Sequence, residues 1–179
     1  MLKFLRGNRH ERAGYELYGA SVAAAREPYF YVELGVADTI DGRFDLVCLH
    51  VFLLIRALGR HKPQGPELGQ AVFDAMFSDM DINLREMGVG DMSIAKKVKK
   101  MWEAFHGRAD AYELAVAAAD PAALAAALTR NVWRGTAPVG SAQRLAGIAL
   151  AQDTYLAGQA LDGLAAGRVA FLPAATAGL

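Results

Sequence analysis

With 179 residues, 54% of them hydrophobic, the chain can close one sizeable core and is short for two independent ones. Its 19 lysines and arginines balance 19 aspartates and glutamates, which excludes an overall field drawing it to nucleic acid or an anionic membrane, so any electrostatic message is local. The single cysteine, Cys48, excludes an internal disulfide, and its apolar setting makes it a buried, inert thiol.

Residues 1–12 carry Lys3, Arg6, Arg9 and Arg12 without the continuous apolar stretch of a secretory signal. Alanine is abundant, β-branched runs are few and apolar residues recur at spacings of three and four, which predicts helices joined by short loops. The first helix is expected over about Glu11 to Arg26, with Tyr15, Tyr18, Val22 and Ala25 on one face, and Pro28 ends it. Between Pro28 and Gly42 the apolar residues Tyr29, Phe30, Tyr31, Val32, Leu34 and Val36 crowd together, and a short extended segment is expected there. Asp41 is predicted to cap a helix over about Gly42 to Arg60 that is apolar on nearly every side and belongs at the centre of a bundle. Its core, Leu46 to Leu58, is about 13 residues long and contains His50 and Arg56, well below the ~20 apolar residues of a spanning helix.

Pro66 suits the first turn of a third helix running to about Met87, on which Phe73, Phe77, Met80, Leu84 and Met87 form one stripe. Gly88 is predicted to end it in the left-handed conformation, and Asp91 to cap the fourth, about Met92 to Ala119. Together these make an antiparallel helical hairpin at about 67–119. The fourth helix sets Ile94, Val98, Met101, Trp102 and Phe105 against Lys96, Lys97, Lys99 and Lys100 on the opposite side, and Gly107 is a weak point in it. Asp120-Pro121 starts a short helix ending near Trp133 and Gly135, and a last helix is expected from about Val139 to Gly167. The expected fold is all-α: a single compact helical domain over residues 1–172 with about five to six main helices, then a flexible tail over 173–179.

No catalytic motif is present. His10, His50, His61 and His106 lack the spacing of a shared metal site, and His50 on its apolar helix reads as a satisfied core histidine. The loop Asp38 to Gly42 lacks the alternate acidic ligands and closing glutamate of a calcium loop. There is no glycine-rich phosphate loop or nucleophile elbow. Asp79, with Asn83, projects at the edge of an apolar stripe; it is either an acid or base of raised pKa or, the favoured reading, a structural hydrogen bond pinning the hairpin. From Glu67 to Asp91 six acidic side chains face one basic, and from Ile94 to Arg108 five basic face one acidic. The lysine face either keeps the bundle soluble or meets an acidic, phosphate-rich or membrane partner. Tyr29, Phe30 and Tyr31 either fill the core or grip a hydrophobic client.

Three stretches together resemble the ubiquinol–cytochrome c chaperone family. They are Leu34-Gly35-Val36 with Asp38-Thr39 and Asp41-Gly42-Arg43-Phe44; Asp79-Met80-Asp81 with Asn83-Leu84-Arg85-Glu86-Met87-Gly88-Val89-Gly90-Asp91; and Lys96 with Lys100-Met101, Phe105 and Gly107-Arg108. A fainter likeness continues through Ala111-Tyr112 and Arg130-Asn131-Val132, so that about Pro28 to Gly135 is covered. His106 stands where the pattern has tyrosine, and that position takes no shared role.

The resemblance implies a compact helical fold, no catalytic centre, no cofactor, and a role in holding newly made cytochrome b before it enters the cytochrome bc1 complex. It makes Asp41, Gly42, Arg43, Phe44, Asp79, Asp81, Asn83, Arg85, Glu86, Gly88, Gly90 and Asp91 motif residues. The candidate partner-binding residues are Tyr29, Phe30, Tyr31, Lys96, Lys97, Lys99, Lys100 and Arg108. The expected partner is cytochrome b or another hydrophobic membrane-protein client, with the ribosome or the inner-membrane surface as further options and DNA excluded. With no mitochondrial transit peptide in view, the expected location is the bacterial cytoplasm, with peripheral attachment to the inner membrane as an option. Two other classes stand beside this reading: a small helical enzyme with Asp79 as acid or base, and a ribosome- or RNA-binding module using the Lys96 to Lys100 face.

Overall fold

Helix α3, Ile40–Gly59, lies at the centre because beyond its first turn its sequence is apolar on nearly every side. Thirteen of its 20 residues are buried, from Gly42 to Leu58. Around it pack α1 (Leu2–Ala25), α4 (Gly65–Glu86), α5 (Asp91–Ala117), α6 (Pro121–Val132) and α7 (Ser141–Ala157). Three short helices, α2 (Pro28–Val32), α8 (Leu161–Ala165) and α9 (Ala174–Ala177), complete the described chain. The computed structural model describes residues 2–177, with side chains from His10 onward; among them every regular element is a helix, and the all-α expectation with six long helices holds.

The broadest helix pairing is α1 on α4. It depends on Gly14, where an added Cβ would lie 2.6 Å from the Ala71 carbonyl oxygen and 2.9 Å from its methyl group. The same two helices share Tyr15 Oη donating to Ser78 Oγ at 2.9 Å and Tyr18 Oη donating to Asp79 at 2.7 Å. The Asp79 carboxylate thus joins α4 to α1, and Asn83 Nδ2 donates to the Asp79 carbonyl at 2.7 Å.

Several local expectations need correction. Residues 28–32 are not extended: Pro28 occupies the first turn of α2, where its fixed φ suits a helix and its missing N–H costs nothing. Five residues are too few to display a helical period, so the aromatic density hid the turn. Asp41 is not the cap of α3; Thr39 is, its hydroxyl accepting from the Gly42 N–H at 3.2 Å, while Asp41 lies inside the first turn. Nor does Asp91 cap α5. Gly90 holds the extended cap position, and Asp91 accepts instead from Arg85 at 2.7 Å.

The expected last helix is two, interrupted at Gly158 to Ala160. The flexible tail expected from residue 173 runs instead through α9 as far as Ala177, with Gly178 and Leu179 outside the described residues. Ala174 is buried and its N–H donates to Glu27 at 2.9 Å. Just before it, Gln152 bonds both backbone groups of Leu172, and Gln159 both of Ala170. A glutamine amide carries a donor and an acceptor side by side, as a peptide group does, and this match is invisible in an alanine-rich sequence.

Between α4 and α5 the chain turns as predicted at Gly88, which has φ +76°. Val89 N–H reaches the Leu84 carbonyl at 3.1 Å and Gly88 N–H the Arg85 carbonyl at 2.9 Å, which is the Schellman pattern of helix termination. Phe73 and Phe77, early in α4, meet Phe105 late in α5, and Arg85 meets Asp91 at the other end, so the two helices run antiparallel. Gly107 leaves α5 unbroken.

Candidate functional site

Where α1, the start of α3, the end of α4 and the first half of α5 meet, they leave a groove of about 850 Å³. Its floor is apolar: Ile40, Phe44, Val47, Met80, Leu84, Met87, Val89, Met101 and Ala104 line it. Ile40 and Met87 are more than half exposed there, and the Schellman turn brings Val89 against the same floor. Six cations stand among the lining residues, Arg26, Arg43, Lys97, Lys100, Arg108 and Arg134, against a single acid, Asp41. A neutral chain has thus gathered a strongly positive rim around an apolar bed.

Part of that positive charge is committed to holding the walls together. Asp45, wholly buried, receives Arg108 at 2.6 Å on one oxygen and Arg134 at 2.7 Å on the other. Burial pushes its carboxyl up from the usual range, and the two guanidiniums pull it back in part. The arrangement ties α3 to α5 and to the turn after α6, where Arg134 takes φ +54° and also donates to the Asn131 carbonyl. Arg108 lies over the Phe44 ring at 5.6 Å, so its guanidinium forms part of the groove wall. Arg43 is bound to Asp38 at 2.6 Å. Among the described residues Arg26, Lys97 and Lys100 have no ion-pair partner, and they carry the groove's uncommitted charge.

The predicted site residues divide accordingly. Asp41, Arg43, Phe44, Asn83, Lys97, Lys100 and Arg108 line the groove. Gly42 is buried beneath it, and Gly88 and Gly90 shape the turn at its end. Asp81, Arg85 and Asp91 form an exposed ion cluster across that turn, at 2.6 and 2.7 Å, while Glu86 is exposed beside it. Lys96 and Lys99 point to solvent outside the groove, Lys99 reaching Glu103 at 3.8 Å. The aromatic triplet is elsewhere. Phe30 is in the core, Tyr31 donates to the Ala25 carbonyl at 3.0 Å, and Tyr29 is partly buried, so these side chains chiefly fill the core.

Sequence reasoning missed Asp45, Arg134, Arg26 and Tyr18. The acid at position 45 carried a legible signal, because a carboxylate inside an unbroken apolar helix must find a cation. Which cation lay far outside any local pattern. His50 and Cys48 offer no chemistry to the groove: His50 is buried with its Nδ1–H donating to the Leu46 carbonyl at 2.8 Å, and burial pushes the Cys48 thiol well up. Among the described residues no three His, Cys, Asp or Glu side chains gather as a metal site, and no helix is long and apolar enough to cross a membrane.

Comparison with known proteins places this geometry in context. No curated protein sequence matches the chain significantly. A crystal structure described as the Cbp3 homolog from Brucella abortus is similar at a TM-score of 0.85 and 34% identity, covering 98% of this chain and 97% of that one. The profile of the family described as Ubiquinol-cytochrome C chaperone matches residues 32–171, which takes in three of the four groove walls and the Asp45 cluster. With that match across most of its length and the same fold in a relative of this identity, the chain belongs to the ubiquinol–cytochrome c chaperone family.

Proposed function

We propose that the protein is a non-catalytic assembly chaperone of the cytochrome bc1 (ubiquinol–cytochrome c reductase) complex, and that the groove between α3, α4 and α5 holds a hydrophobic segment of newly made cytochrome b. One observation carries the reading: from the stretches that most resemble the family, Asp41, Arg43, Phe44, Met80, Asn83, Leu84, Met87 and Val89, with Lys100, Met101 and Arg108, line one open apolar groove. Exposed apolar surface of this kind is costly in water and is kept where something covers it. Methionines at 80, 87 and 101 add a flexible, polarisable lining that adapts to client side chains of different shape. The working location is the cytoplasmic face of the inner membrane, where the client emerges.

Asp79 supports the non-catalytic reading, since its carboxylate binds Tyr18 and its carbonyl binds Asn83. Deleting the gene is expected to lower the amount of assembled cytochrome bc1 complex, with wild-type protein restoring it. Met87→Asp, at a position more than half exposed and therefore compatible with folding, is expected not to restore it and not to retain cytochrome b on the tagged protein. Undiminished complex in the deletion strain, or cytochrome b captured equally by Met87→Asp, refutes the proposal.

A further inference from the structure

We infer that the groove selects an amphipathic helix whose apolar face is flanked by carboxylates. The inference rests on the groove being the client site and specifies what enters it. The walls are helices that satisfy their own backbone groups, so the groove offers an incoming chain no strand edge to pair with. A segment buried there has to bond its own N–H and C=O groups, and a helix does so. Its apolar positions at i, i+3, i+4 and i+7 meet the bed of Phe44, Leu84, Met87, Val89 and Met101.

Charge then fixes the edges. Arg26 stands in the turn just after α1 and Lys97 and Lys100 come from α5, all exposed and none with an ion-pair partner among the described residues, against Asp41 as the one acid in the lining. Cations supplied by separate elements suit carboxylates spread along a helix; a lipid headgroup presents its charge at a single point. Lysines flanking the apolar face of an incoming helix would meet like charge in a partly water-excluded setting, which disfavours the wrong partner. Lys97 and Lys100, one turn apart on the same face of α5, are the selecting residues.

Three labelled synthetic helices with one shared apolar face and Glu, Gln or Lys flanks test this by fluorescence anisotropy against the full chain. The Glu-flanked helix is expected to bind about ten-fold more tightly than the Lys-flanked one at low salt, with the gap closing as salt rises. The double change Lys97→Glu with Lys100→Glu, whose fold is checked by thermal melting, is expected to reverse the order. Equal binding of all three peptides, an unchanged order in the double variant, or lysine-dependent binding of phosphatidylglycerol vesicles without peptide binding overturns the inference. Failure of peptide selection while Met87→Asp still abolishes complex assembly refutes the acidic flanks alone. Normal assembly with Met87→Asp removes the client site and this inference with it.

Discussion

His50 sits between the rings of Phe30 and Phe171, at 5.4 and 5.7 Å, with one nitrogen on the Leu46 carbonyl and the rest of the ring in apolar surroundings. Burial lowers its pKa to about 4, so it is neutral when folded and protonates more readily when unfolded. The sign follows: its contribution is fully present above the unfolded value of about 6.5 and is lost as pH falls from there towards 4. At about 1.4 kcal/mol per pH unit, roughly 3 kcal/mol disappears over that window. Urea titrations between neutral pH and pH 4 are expected to show this decline, and His50→Phe to flatten it. Sequence alone identified His50 as a core histidine because its neighbours are apolar. It did not supply Phe171, which lies at the far end of the chain.

Beside the apolar core, a few buried ion pairs join α3 to its neighbours. Asp45 is the joint by which α3 holds α5, and Arg108 on the other side is only 15% exposed. Asp45→Asn keeps the shape but strands that guanidinium, and is expected to cost about 3–5 kcal/mol in chemical denaturation. Replacing both partners, Asp45→Leu with Arg108→Met, is expected to cost less than Asp45→Asn alone, because no charge is left buried without a counter-ion. A second joint, Asp153 with Arg56 at 3.3 Å and Arg60 at 2.8 Å, fastens α7 to the other end of α3. Helix ends were legible to the extent that their chemistry is local. Asp120 caps α6 through the N–H groups of Ala122 and Ala123, as its position before Pro121 predicts, and Gly88 ends α4. Asp41 was read as the cap of α3 and Thr39 passed over, although both have the right chemistry two residues apart and it is Thr39 that accepts from the Gly42 N–H.

Across the whole molecule, anchoring is uneven. From Asp91 to Ala104 only Ile94 is buried, whereas α3 is buried along most of its length. The first half of α5 is therefore held by the turn, Ile94 and the partly buried Met101, the exposed Arg85 to Asp91 ion pair adding little, while Phe105, Arg108 and Tyr112 secure the second half. Amides of residues 94–104 are expected to exchange with deuterium well before those of residues 46–58, and a bound Glu-flanked helix to slow them selectively. Uniform exchange along α5 contradicts this. On the function proposed above, a loosely anchored groove wall lets the client enter and leave.

Sequence by itself determined the helical class, the central place of α3 and the turn at Gly88. Each of these depends on residues within a few positions of one another, and helical periodicity or a single cap expresses such information directly. The lysines expected opposite the apolar face of α5 are not all segregated from it, since Lys97 and Lys100 stand beside Met101 and Trp102 is exposed. Only the tertiary structure decided that Lys97 and Lys100 border an apolar groove while Lys96 and Lys99 do not, and that Arg26 joins them there. Only it paired Asp45 with Arg108 and Arg134, and folded the alanine-rich end back onto Gln152 and Glu27. The physical reason is common to the last two. A buried charge or an unpaired backbone group needs a partner somewhere, but the local sequence fixes only the need, and the packing of α1, α4, α5 and α7 around α3 determines which distant residue meets it.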